Sequence, residues 1–357
     1  MKTEHKALSV KTLLPEWAPL DAVILAWPNE ETDWAAWLDP VTDTYVSLIN
    51  AINAADAGVI LLCREQDKSL IQSRLQSSNK VLLISAEYND TWVRDYAFLS
   101  CQLDGSKFPV EFTFNGWGEK FDATLDNQVN QHYLAQLCRH PLQSEALVCE
   151  GGALEIDASG HLLSTQLCLT NPKRNGDFSV ADYVTQFTQS LGASAVTILQ
   201  HGHLEGDDTD GHIDTLVRFT PTQGLVIQSC QNRPEDDHFD GLNDLVKECK
   251  QQLPDHQIFE LPLPFIKNSK GDRLPASYAN FLICNQSVIC PIYNQPEDKT
   301  ALAVIQKAYP HYQIVPIDCL PLVQQFGSLH CITMQVPTDM LRPEVQYSLT
   351  QGVVNYD

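Results

Sequence analysis

No Cys-x-x-Cys pair occurs anywhere in the chain, and the nearest two of its eleven cysteines, Cys284 and Cys290, stand apart in sequence. An odd, scattered set of thiols argues against a disulfide framework and a zinc ribbon, so a reducing cytoplasm is expected. Long apolar runs are also missing: none approaches the ~20 residues that cross a bilayer. The opening Met1-Lys2-Thr3-Glu4-His5-Lys6 leads into no apolar stretch of the kind a secretory signal carries. Positive charge is scarce, with 23 Lys and Arg against 45 Asp and Glu, a formal net charge of −22. That balance argues against nucleic acid and anionic membrane surfaces, and it favours the approach of a cationic small molecule. No Pro/Gly/Ser-rich linker divides the chain, so one domain spanning residues 1–357 is expected.

What is present reads as an ordinary globular protein, 43% hydrophobic and 19% charged, long enough at 357 residues for a large core. Short apolar strands at 21–27, 59–62, 81–85, 145–149, 195–199 and 225–229 alternate with helical stretches at 34–55, 69–76, 127–138, 183–192, 242–251 and 299–308. Hairpins are expected around Asp157-Ala158-Ser159-Gly160 and Asn285-Gln286-Ser287, and strands at 213–219 and 278–283. This is α/β grammar. Polar punctuation at Asn29, Asp95, Glu150, His212, Asn280 and Cys331 recurs about every 60 residues, which suggests repeats around an axis; pattern alone favours a doubly wound sheet.

The chemistry-bearing residues fall into a few clusters. Cys331 follows His330 in a loop that carries Gly327 and Ser328, a setting that can expose a nucleophile to a cleft, although most cysteines are inert and buried. The densest polar run, His201 to Asp214, admits several readings. A calcium loop fails, because aligning Gly211 as its glycine puts Gly206 and Val217 at ligand positions. A catalytic metal site from His203, Asp208, Asp210, His212 and Asp214 is chemically sound but follows no standard spacing. Alternatively His212 and Asp214, two apart on a strand, share one face of a cleft, or the run is an exposed acidic turn. Arg94-Asp95 reads as a pocket residue beside an arginine or as a plain ion pair. Glu150-Gly151-Gly152 allows close backbone approach, and Trp117 stands between Gly116 and Gly118. One cysteine, one histidine and several carboxylates together suit attack on a planar guanidinium, which carboxylates hold in paired hydrogen bonds.

Seven segments, 89–95, 114–118, 150–152, 171–175, 208–214, 277–281 and 330–337, occur in the order found in agmatine deiminases, and the chain resembles that family over nearly its whole length. It resembles the bacterial peptidylarginine deiminases more distantly. The resemblance implies a pentein fold, an α/β propeller of five ββαβ-type blades around a central active-site channel. It implies Cys331 as nucleophile, His212 as acid and base, and Asp95 and Asp214 as the carboxylates that clamp the guanidinium. Glu150 and Asn280 would line the same pocket, and Trp92, Trp117 and Asp90 would hold the far end of a small cationic guanidino substrate. No metal and no cofactor is implied, and self-association is left open. The implied reaction is agmatine to N-carbamoylputrescine and ammonia, with arginine or peptidyl arginine as alternative substrates. A metal-dependent hydrolase built on His203 and His212 and a silent binding module are the rivals. The chain departs from the family at Tyr96-Ala97-Phe98, at Glu119 and at Phe326-Gly327-Ser328-Leu329, any of which would reshape a pocket wall it faced.

Overall fold

The computed structural model describes residues 11–356, so the Met1–Lys6 stretch weighed as a leader lies outside the described residues. Its strands form five separate sheets instead of the one continuous doubly wound sheet that pattern alone favours. Each sheet contains the same unit. Two strands pair antiparallel, and a crossover then brings the next strand back parallel. A parallel neighbour cannot be reached by a tight turn, so each unit needs a crossover of a dozen or more residues. Helices supply it: Leu38–Ala54 between Leu20–Ala26 and Gly58–Cys63, Val180–Leu191 between His161–Thr165 and Ala195–Leu199, and Phe239–Gln252 between Gly224–Gln228 and Gln257–Leu261. Asp298–Ala308 does the same between Ser287–Ile292 and Gln313–Asp318. One unit is assembled from both ends of the chain, since Met334–Pro337 pairs with Leu20–Ala26.

Burial explains these elements. Gly58–Cys63 is buried at every position, as an apolar run covered on both faces must be. The helix Leu38–Ala54 turns Val41, Tyr45, Leu48, Ile49 and Ile52 inward. Val180–Leu191 starts at a reciprocal capping box between Ser179 and Asp182. Several expected elements differ. Residues 127–138 form a broken run of 3-10 and π turns, Asp126–Gln128, Asn130–Leu134 and Ala135–Leu137. The strand expected at 213–219 begins only at Val217, behind the 3-10 turn Ile213–Thr215. The one expected at 278–283 starts at Leu282. Arg94 and Asp95 lie in the short helix Val93–Tyr96, and their side chains do not pair with each other; Arg94 instead meets Glu16 at 3.2 Å.

The five connections that lead from one sheet into the next matter most for chemistry. Asp95 precedes the strand Leu99–Leu103, and Glu150 precedes Glu155–Ile156. Asp214 precedes Val217–Thr220, Asn280 precedes Leu282–Cys284, and Cys331 precedes Met334–Pro337. Five of the six points of polar punctuation, Asp95, Glu150, His212, Asn280 and Cys331, therefore fall in these connections, whereas Asn29 follows the strand Leu20–Ala26. Arg218, fully buried on Val217–Thr220, ties three of these connections together. It donates to Glu155 at 2.7 Å, to the carbonyls of Ala279 and Phe281 at 3.1 and 2.9 Å, and to Glu16. Arg218→Met leaves the fully buried Glu155 without its ion-pair partner, a change expected to cost roughly 3–5 kcal/mol. A lower urea midpoint at unchanged m-value measures it.

Candidate active site

Cys331 is half-buried, whereas the other ten cysteines are buried, and it lies on the wall of a cavity of about 150 Å³. Asp95, Asp214, Trp92, Trp117 and Asp90 line the same cavity. The Cys331 sulfur is 3.4 Å from Asn280 Oδ1 and 3.9 Å from Asp214 Oδ2. Burial, then the charges of Asp214 and Asp95, push the thiol well above its ordinary range, against hydrogen bonds involving Ser328 and Asn280. Without a cation beside it, Cys331 is a neutral thiol.

Asp95 is positioned by two donors. The Gly152 N–H reaches Oδ1 and the Trp117 indole N–H reaches Oδ2, each at 2.9 Å. Trp117 can do this because the backbone from Gly116 to Glu119 runs left-handed, including Trp117 itself at φ 57° and Glu119 at φ 62°. The Asn115 side chain caps that turn through the Gly118 N–H. Burial raises the Asp95 carboxyl above its usual value; Asp214 and Glu150 add to the rise, and His212 and Trp117 oppose it. Burial would also raise Asp214, but its 2.7 Å contact with His330 Nδ1 outweighs it and holds the group below the usual range. The two carboxylates facing the sulfur are therefore unlike: His330 holds Asp214 below the usual range, whereas burial raises Asp95 above it.

His212 is buried between carboxylates, with Nδ1 3.6 Å from Asp95 Oδ1 and Nε2 3.8 Å from Glu150 Oε2. Burial disfavours its charge, but Asp95, Cys168 and Glu150 outweigh burial and hold the imidazole well above its usual value. Both separations are too long for hydrogen bonds. His212 Nε2, Asp214 Oδ1 and Asn280 Nδ2 are buried polar atoms with no partner, a concentration that calls for a ligand or an explanation.

Glu150, Asn280 and His212 are not among the residues that line the cavity. Glu150 stands behind His212, gripped by Arg174 Nε at 2.8 and 3.0 Å, and Asn280 stands behind Cys331, its Oδ1 also taking the His330 N–H at 2.9 Å. His212 and Asp214 do not share a strand face; they flank Ile213 at the entry of a 3-10 turn, which carries both to the same end of the sheet. The cavity wall also contains Asp33, Asp207, Asp208, Phe121 and Phe326, which sequence reasoning did not place there. Nothing local marks Asp33, whereas Asp207 and Asp208 belong to the acidic run. Two departures from the family pattern are off the wall. Tyr96 is buried and donates to the Asp90 carbonyl at 2.8 Å, and Glu119 points out to Lys173 at 2.9 Å.

The metal set drawn from the acidic run does not converge. Asp210 is turned to Arg174 and Lys120, each at 2.8 Å, while His212 faces Asp95 and Glu150. Among the described residues the trio within ligand distance is Glu150, Cys168 and His212. There the Arg174 Nε–H, shared between both Glu150 oxygens, already occupies the carboxylate that a cation would need. That donor set fits an ion pair better than a metal.

Gly152 packs closest to this group. A Cβ on it would fall 2.7 Å from Asp95 Oδ1, 2.7 Å from His212 Nδ1 and 3.1 Å from Asp214 Oδ2. Gly152→Ala is expected to lower ammonia release from a guanidino substrate by about 100-fold or more, the scale of a 1 Å misplacement. Circular dichroism of the same preparation should show native secondary structure.

Comparison with known proteins agrees with this geometry. The model of the Porphyromonas-type peptidyl-arginine deiminase family matches residues 12–337. A Legionella pneumophila protein named "Putative agmatine deiminase" is 31% identical over 338 residues, covering 90% of this chain and 93% of its own. A Porphyromonas gingivalis structure named "Putative Arginine Deiminase" is 39% identical with a TM-score of 0.86, covering 93% of this chain and 100% of that one. A cysteine-to-serine variant of C. jejuni agmatine deiminase with substrate bound is 27% identical, also at TM-score 0.86, over 96% of this chain and 100% of that one. The match spans the connection that carries each site residue, from Asp95 to Cys331, and the chain belongs to the Porphyromonas-type peptidyl-arginine deiminase family.

Proposed function

We propose that the protein is a guanidine deiminase that hydrolyses agmatine to N-carbamoylputrescine and ammonia. The observation that carries the substrate is the charge of the cavity wall. Six aspartates line it, at 33, 90, 95, 207, 208 and 214, with no lysine or arginine. Two of them, Asp95 and Asp214, flank the Cys331 sulfur and suit a guanidinium; the others suit a second positive charge at the far end, beside Trp92 and Trp117. A carboxylate on the substrate, as in arginine, would meet only like charge. Resemblance to agmatine deiminases supports the same reading.

In the proposed mechanism the bound guanidinium supplies the cation that Cys331 lacks, so the thiol ionises beside it and releases its proton to solvent. The thiolate adds to the central carbon. His212, held protonated by its carboxylates, gives its proton to a departing nitrogen, and ammonia leaves a thiouronium on Cys331. His212 then takes a proton from water, the hydroxide adds to the same carbon, and the thiolate departs to leave the urea product. Glu150 orients His212, and Asn280 orients the sulfur. The five sheets would stand as blades about this channel in a single domain, and the eleven free cysteines suit a reducing compartment.

Ammonia release from agmatine, with arginine alongside and with and without a chelator, tests the reading. Agmatine is expected to exceed arginine about 100-fold or more in kcat/KM, unaffected by chelator, because like charges in such a site cost several kcal/mol. Equal rates would remove the agmatine assignment, and chelator-sensitive turnover would remove the metal-free route. Cys331→Ala should abolish turnover; a variant that keeps it sinks the covalent mechanism. Asp90 adds a pH test, since burial raises its carboxyl to about 6. It is anionic above that pH and neutral below, so the KM for agmatine should rise as pH falls through about 6. Asp90→Asn should flatten that limb.

A further inference from the structure

Behind the cavity, Asp214 is held by a residue chain that ends at the N-terminal segment. One Asp214 oxygen, Oδ2, is fixed by His330 Nδ1 at 2.7 Å, and the other is buried with no partner. The His330 ring is fully buried, and its other nitrogen, Nε2, meets Glu16 Oε1 at 2.7 Å. Glu16 lies between the strands Thr12–Leu13 and Leu20–Ala26, outside both. It also takes Arg94 at 3.2 Å, Gln335 at 2.9 Å and Arg218. Three cationic or polar donors thus anchor one carboxylate, which aligns one imidazole, which aligns one face of Asp214. This leaves Asp214 Oδ1 free, with Oδ2 3.9 Å from the sulfur.

Resting on the guanidine reading above, we propose that Glu16 and His330 are positioning residues, acting through Asp214 to set the guanidinium against the Cys331 sulfur. The segment carrying Glu16 is then part of the active site although it touches no substrate. A loosened Asp214 leaves a bound cation still held by the outer aspartates but misaligned for attack. The loss should therefore fall on kcat more than on KM.

The test compares Glu16→Gln, His330→Asn and His330→Gln in the full chain. The asparagine amide nitrogen falls near the position of Nδ1 and keeps a donor for Asp214; the glutamine amide falls near that of Nε2 and does not. Glu16→Gln is expected to lower kcat at least about 10-fold with KM within about 3-fold, and His330→Asn to retain about 10-fold more kcat than His330→Gln. A kcat for Glu16→Gln within about 3-fold of wild type, or equal losses in the two His330 variants, overturns the proposal. A purely structural role would lower the melting temperature without that ordering.

Nuclear magnetic resonance of histidine-labelled protein gives a second readout that needs no turnover. The two exchange-protected ring N–H signals of His330 should be present in wild type. Glu16→Gln should remove one and Asp214→Asn the other; unchanged signals in both variants overturn the relay. If Glu16→Gln does not fold, the His330 pair and Asp214→Asn decide the matter. Wild type inert toward every guanidine would remove the functional reading alone, and the relay would then be judged on these signals.

Discussion

The interaction on which the site depends is the compensation of buried carboxylates by cations fixed in the fold. Glu150, Glu155, Asp95 and Asp214 are buried and Glu16 nearly so, at a desolvation cost of several kcal/mol each unless paired. Three arginines answer part of that charge. Arg174 holds Glu150, Arg94 holds Glu16, and Arg218 holds Glu16 and Glu155. None of them reaches Asp95 or Asp214, which face the sulfur. The front pair is answered only by imidazoles and by neutral N–H donors. A planar cation with several N–H groups supplies what that front lacks, and the arginines behind keep the deficit local to the cavity.

The fold delivers this distribution through repetition. An antiparallel pair and a crossover to a parallel strand recur in every sheet, and the connections between sheets carry the residues of the site. No single connection contains the site. Cys331 and His212 stand more than a hundred residues apart in the chain, and the contact between the Cys331 sulfur and Asp214 spans 117. The connections that carry Asp95, Asp214 and Cys331 reach one cavity, and those that carry Glu150 and Asn280 stand behind it.

Legibility in the sequence followed the range of the interactions. Strands such as Val81–Ser85 and Gly224–Gln228 are where apolar pattern places them, because burial on a sheet is a local signal. The strands at Ser106–Thr113, Gln257–Leu261 and Gln313–Asp318 carry polar or half-exposed residues and owe their state to partners across the sheet, so pattern passes over them. At the site, Cys331, His212, Asp95 and Asp214 stand in recognisable segments. Whether a neighbour faces the cavity or its back does not follow from such segments. Glu150 and Asn280 show this, since each lies one residue deeper than the group it orients. Glu16 carries no signal at all: its partners are 78, 202, 314 and 319 residues away.

That distinction bears on how substrate choice is encoded. Among the departures from agmatine deiminases, Phe326 and Gly327 are on the wall. Tyr96 and Glu119 lie behind or outside it, where one supports the backbone of Asp90 and the other braces a left-handed turn against Lys173. They influence the pocket through what they hold, namely Asp90 and Trp117. The wall itself is defined by charge, with four aspartates beyond the clamp and two exposed phenylalanines, Phe121 and Phe326, around them. A ligand that ends in an amine leaves those carboxylates paired and the rings covered. One that ends in a carboxylate strands six anions with it in a small cavity, and desolvation then works against binding at the far end however well the guanidinium fits.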